Sequence, residues 1–146
     1  VISNKINKQL KKEIQYGLDK FKTYKNFAKK VQLSKKSLLM IFSKLKNQKK
    51  KILGYGATAK AVTVLNYCNI DKDLIPFFLD ITPDKINKHM PGKNIKIIKY
   101  NRKILDKYDY IYLGAWNFKN EIINKEKKFI KRGGKFITHI PLPRIF

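Results

Sequence analysis

The sequence predicts an α/β protein with a doubly wound, mostly parallel five-stranded sheet, preceded by an α-helical arm. Three observations carry this. From Lys51 onward, apolar runs of strand length alternate with amphipathic stretches. A glycine turn follows the first run directly, and punctuating residues are split unevenly along the chain. Residues 1–50 are lysine-rich with Gly17 and no proline, whereas all five prolines and the other glycines come later. The expected organisation is a helical arm at 1–50 and a compact α/β domain at 51–146.

In the arm, Tyr24, Phe27, Ala28 and Val31 recur at helical spacing, and Leu38, Ile41, Phe42 and Leu45 repeat the pattern. Gly17 predicts a break near the start. Ser34 or Ser37 can cap a second helix, or the run is continuous. These stripes read as packing surface and carry no chemistry.

Beyond the arm, Lys51–Leu53 predicts a strand entering Gly54-Tyr55-Gly56, with a helix from Ala57 to about Tyr67. Leu74–Leu79 has strand length and ends at Asp80. Ile95–Ile98 predicts a third strand, reached through the turn His89-Met90-Pro91-Gly92, and Asn101–Lys107 a short helix. Tyr110–Leu113 opens into Gly114-Ala115-Trp116-Asn117, and Phe118–Lys131 predicts one amphipathic helix. Gly133-Gly134 turns the chain into Lys135–Thr138, and Pro141 and Pro143 end regular structure. Right-handed crossovers place the five strands in order 3-2-1-4-5.

The chain has 146 residues and a formal net charge of +24, for which two explanations compete. One is a footprint for a polyanion. The other is compositional drift toward Lys, Asn and Ile, and the excess of Lys over Arg102, Arg132 and Arg144 favours drift. A nucleic-acid surface would use more arginine for bidentate contacts. No specific nucleic acid and no membrane is expected as a partner, since no apolar stretch approaches the roughly 20 residues that span a bilayer. Cys68, alone, fits a reducing cytoplasmic setting. A start at Val1 suggests a fragment, a processed product or a split gene.

Gly54-Tyr55-Gly56-Ala57-Thr58-Ala59 has G-x-G-x-x-A spacing between strand and helix, which makes the domain Rossmann-like. The expectation is that Gly54 permits the tight turn, Gly56 lets backbone approach an anion and Ala59 allows close helix–strand packing. The helix N-terminus then offers free amides to a phosphate, with Lys60 and Thr58 beside them. An empty turn that only builds the fold is the competing reading. Asp80 ends the next strand, where dinucleotide folds place a ribose acceptor; it equally suits a turn cap. No catalytic group and no metal site is legible. His139 reads as a structural end-of-strand residue, and His89 as a loop residue.

Several segments together resemble one family: Gly54–Lys60, Thr63–Cys68, Asp80 with Pro83 and Lys85, Pro91-Gly92, Ala115–Phe118 with Glu121-Ile122, and Gly133–Ile137 with Ile140-Pro141. They resemble the C-terminal domain of the S-adenosylmethionine-dependent C-methyltransferases that act on nucleotide-linked deoxysugars. Glu13, Gly17, Tyr24 and Phe27-Ala28 resemble the helical segment before it. The resemblance implies a domain that holds a nucleotide-diphosphate sugar, with Gly54, Tyr55, Gly56, Ala57, Thr58 and Lys60 as the phosphate-proximal loop. It more loosely implies contacts from Asn66, Lys85, His89, Trp116 and Asn117, with His89 replacing a different polar residue. In that family a zinc-binding segment and a central S-adenosylmethionine domain precede this part. The chain carries neither a cysteine cluster nor a His-Gly-Gly-Ser signature. It is therefore expected to bind no cofactor, S-adenosylmethionine residing on a separate catalytic domain that is its partner. The alternatives are a small NAD-binding reductase-like domain, a lysine-rich nucleic-acid binder, or a remnant without a ligand.

Overall fold

A computed structural model describes residues 3–146; Val1 and Ile2, where the expected arm begins, lie outside them. The chain divides into two compact units, Val1–Ser34 and Lys35–Phe146.

Helix α1 spans Asn4–Gln15 and is capped by Ser3, whose Oγ accepts from the Ile6 amide. It ends in a Schellman turn around Gly17, at φ 68°: the Leu18 amide donates to the Glu13 carbonyl and the Gly17 amide to Ile14. The expected break is thus a helix C-terminus. Helix α2 then runs unbroken over Phe21–Asn47, passing Ser34 and Ser37 without a cap. Its Leu38, Phe42 and Leu45 are buried.

The sheet contains β1 (Ile52–Tyr55), β2 (Phe77–Asp80), β3 (His89–Met90), β4 (Ile95–Lys99), β5 (Tyr110–Leu113), β6 (Lys135–Thr138) and β7 (Arg144–Ile145). Its order is β3-β4-β2-β1-β5-β6-β7. The inner five strands are parallel and follow the expected 3-2-1-4-5 sequence. Seven strands rather than five result because two short segments add antiparallel edges, β3 against β4 and β7 against β6. The expected turn at His89-Met90 is therefore strand, and regular structure resumes after Pro143. Two-residue edges beside prolines carry too little alternation to be read from sequence.

Helix α3 (Ala59–Cys68) follows β1, and α4 (Arg102–Leu105) follows β4. Strand β2 starts late because Pro76 has no N–H and the Leu74 and Ile75 amides turn back onto the Asp71 carbonyl. The expected single helix over Phe118–Lys131 is three pieces: a 3₁₀ turn at Trp116–Phe118, α5 (Lys119–Lys125) and α6 (Lys127–Lys131). The break falls at Glu126, whose backbone leaves the helical region.

Side chains alternate between the two faces of the sheet. Phe78, Tyr112 and Ile137 join Leu38, Phe42, Ala61 and Leu65 in one core. Leu79, Ile111, Leu113 and Phe136 join Leu105, Ile122 and Phe129 in the other. Both faces are covered, as a parallel sheet requires. The chain leaves β1 on one side for β2 and returns on the other at β5, which opens a crevice at the carboxyl ends of these strands.

Candidate functional site

That crevice holds a cavity of about 260 Å³. Its wall is formed by Tyr55, Gly56 and Thr58 at and beyond the end of β1, by Leu79 to Thr82 and Lys85 at and beyond the end of β2, by Tyr100 after β4, and by Ala115, Phe118, Glu121, Ile122 and Lys125 after β5.

The glycine turn is held by its own side of the protein. The Gly56 amide donates to the Leu79 carbonyl (2.8 Å), Thr58 to the Gly56 carbonyl (3.0 Å), and Ala57 to Asp80 Oδ2 (2.8 Å). Gly56 sits at φ 80°, where a Cβ would collide with Ala115. The expected role of Gly54 changes: it lies inside β1, and a Cβ there would meet the Phe78 ring at 2.5 Å. It makes room for Phe78 and does not form the turn. Ala59 is exposed, and the small residue packed under the helix is Ala61, two positions on. Thr58 is the N-cap of α3: its Oγ accepts from the Ala61 amide and donates to the Gly114 carbonyl. Among the described hydrogen bonds none engages the Ala59 and Lys60 amides, so the helix N-terminus keeps two donors for an anion.

Asp80 is 7% exposed. Its Oδ1 accepts from the Thr82 amide (2.9 Å), and Lys85 Nζ lies 3.5 Å from Oδ2. Burial pushes its pKa up, but the bonds from Thr82 and Ala57 and the Lys85 charge outweigh burial and hold the carboxyl below the usual range. Both oxygens already accept from the protein. This is the turn-cap arrangement the sequence allowed, and Asp80 also lines the cavity.

The remaining expected residues separate. Lys60 places its ammonium over the Trp116 ring, 5.0 Å from the centroid. Trp116 and Asn117 line a shallow depression next to the cavity, sharing Phe118 and Glu121 with it. Asn66 and His89 are not at the crevice. Asn66 Nδ2 donates to the Val62 and Pro91 carbonyls and pins the loop after β3. His89 is exposed on the edge strand opposite Lys96. His139, at the end of β6, is buried against Tyr112, with Nδ1 3.0 Å from the phenol oxygen; burial lowers its pKa to about 4.

One feature had no motif to announce it. Tyr55 and Tyr100 both donate their hydroxyls to Glu126 Oε1, at 3.2 and 2.9 Å. Glu126 is fully buried, and its Oε2 has no partner among the described residues. Burial, then the Glu126 bond and charge, push the Tyr100 pKa up to about 12, and burial and Glu126 raise Tyr55 as well. Both phenols keep their protons at any working pH. The available signal was periodicity: Glu126 falls on the apolar stripe of Ile122 and Phe129.

The sequence profile described as C-methyltransferase C-terminal domain matches residues 1–141. The chain belongs to the C-methyltransferase C-terminal domain family. It is 32% identical over 140 residues to C-methyltransferase NovU of Streptomyces niveus, an alignment that covers 96% of this chain and 33% of that relative. A C-methyltransferase C-terminal domain thus spans about a third of the length of the curated relative it matches. Among the described residues no helix is long and apolar enough to cross a membrane, and no three His, Cys, Asp or Glu gather to hold a metal.

Proposed function

We propose that this chain is the substrate-holding domain of an S-adenosylmethionine-dependent C-methyltransferase. It binds a nucleotide-diphosphate sugar at the switch-point crevice, while the methyl donor and the general base come from another domain. The observation that carries this is the α3 N-terminus beside the cavity, where the Ala59 and Lys60 amides are unspent and Thr58 lines the wall. With the helix dipole and the Lys60 ammonium they form an anion site suited to a diphosphate. The net charge of +24 draws anions to the protein without selecting among them. A reducing cytoplasmic setting belongs to the same reading, supported by the free, buried Cys68.

Isothermal titration of the chain with UDP-glucose, dTDP-glucose and NAD(H) tests this. At least one nucleotide sugar should bind with measurable heat and raise the melting temperature by mass action. Binding of NAD(H) with no response to any nucleotide sugar would reject it in favour of a reductase-like domain.

A further inference from the structure

Among the described residues, large exposed apolar side chains crowd into the first compact unit, Val1–Ser34. Helix α1 buries no residue. Its Ile6, Leu10 and Ile14, four apart, form one exposed stripe, and Lys5, Lys8 and Lys12 fall on the opposite side. The division recurs in α2 before Ser34. Phe21, Tyr24, Phe27 and Val31 share one side, with Phe21 72% and Phe27 66% exposed, and Lys22, Lys29 and Lys30 fall on the other. Leu33 is the exception, exposed on the lysine side. A helix as short as α1 is marginal in water unless its apolar side is covered.

Charge narrows what the cover is. Compositional drift sets how many lysines a chain has, not the side of a helix on which they fall. The unit holds nine lysines against Glu13 and Asp19, and no arginine. Fixed carboxylates on a folded partner are matched best by the guanidinium fork. Lysine is a point charge on a flexible apolar stem, which suits a fluid array of lipid phosphates. A second copy is disfavoured, because pairing would bring two sets of lysines together. Tyr24 donates its hydroxyl to the Leu18 carbonyl (2.7 Å), so its polar end is satisfied within the arm. Lys25 Nζ lies 5.1 Å from the Phe21 ring centroid, at the border of stripe and charge.

We propose that the helical arm is a peripheral anchor that lies on an anionic lipid surface. The apolar stripes enter the headgroup boundary and the lysines pair with lipid phosphates. The expectation of no membrane partner concerned crossing, and lying in the interface needs no apolar run of about 20 residues. The anchor goes beyond the substrate-holding reading and does not depend on it.

Flotation of the whole chain tests this, with vesicles of phosphatidylcholine alone or with about 30% phosphatidylglycerol. The wild type should partition onto the anionic vesicles at least about tenfold more strongly than onto the neutral ones. The double variants Ile6→Ser/Leu10→Ser and Phe21→Ser/Phe27→Ser keep every lysine, and each should lower anionic-vesicle binding about tenfold. Melting temperatures without vesicles verify folding, and the α1 variant removes no buried side chain. A wild type that does not float with anionic vesicles would overturn the proposal. So would flotation that both variants keep, since the lysines alone would then account for it. A dimer in sedimentation equilibrium that both variants break, without flotation, would assign the stripes to a second copy instead. Retention on poly-glutamate that both variants lose, again without flotation, would assign them to an acidic protein face. Titration with nucleotide sugars is a separate measurement, so none of these results decides the substrate-holding reading.

Discussion

Two parts of one crevice differ in how fully their polar groups are used. Around the glycine turn, the amides of Gly56, Ala57 and Thr58, the Thr58 hydroxyl and both Asp80 oxygens have protein partners. At the tyrosine wall, Glu126 Oε2 is buried without one among the described residues, and so is Nη2 of Arg102, whose charge reaches Tyr100. Unpaired buried polar atoms are rare and call for a reason. Apart from the Ala59 and Lys60 amides, the part with the recognisable spacing is spent on building the fold, and buried spare capacity sits where no motif marks it. A fingerprint tells where backbone must turn; it does not tell which groups remain free.

The contrast can be broken most forcefully at Gly56. Gly56→Val adds branched atoms against Ala115 at a positive φ and should cost about 4 kcal/mol or more. Urea unfolding should show the midpoint collapsing with the m-value unchanged. Glu126→Ala leaves the buried Tyr55 phenol and the half-buried Tyr100 phenol without an acceptor and should cost about 3 kcal/mol, read from the same curves. A cost below that of Thr58→Ala would show that the two phenol bonds to Glu126 contribute little to stability.

Asp80→Asn sharpens the comparison through pH. The folded carboxyl titrates lower than an unfolded Asp near 3.9, so its stabilisation is full above that value and is lost as the pH falls through the folded pKa. The variant should be about 2 kcal/mol less stable at pH 7. The gap should close in thermal melts taken progressively below about pH 4. Thr58→Ala removes one helix cap and should cost about 1 kcal/mol by chemical unfolding, the smallest of the four.

Much of the architecture was legible because it depends on pattern. Apolar runs separated by turn residues placed the five inner strands and their order, and Gly17 marked a helix end. What pattern does not encode is direction and pairing. That Gly54 yields to Phe78, that Asp80 turns back on Ala57, and that Asn66 reaches Pro91 each depend on contacts between segments more than 20 residues apart. Glu126 was hidden for a different reason. In a run of lysines a glutamate reads as a solvated charge, and only its register with Ile122 hints that it points inward.

The contact between Gly56 and Ala115 reaches past this one chain. Because the two loops touch where neither has space for a larger side chain, positions 56 and 115 should vary together across relatives. A bulkier residue at 115 would be tolerated only where the first loop has drawn back. The pair therefore sets how closely the two loops can approach at the mouth of the crevice.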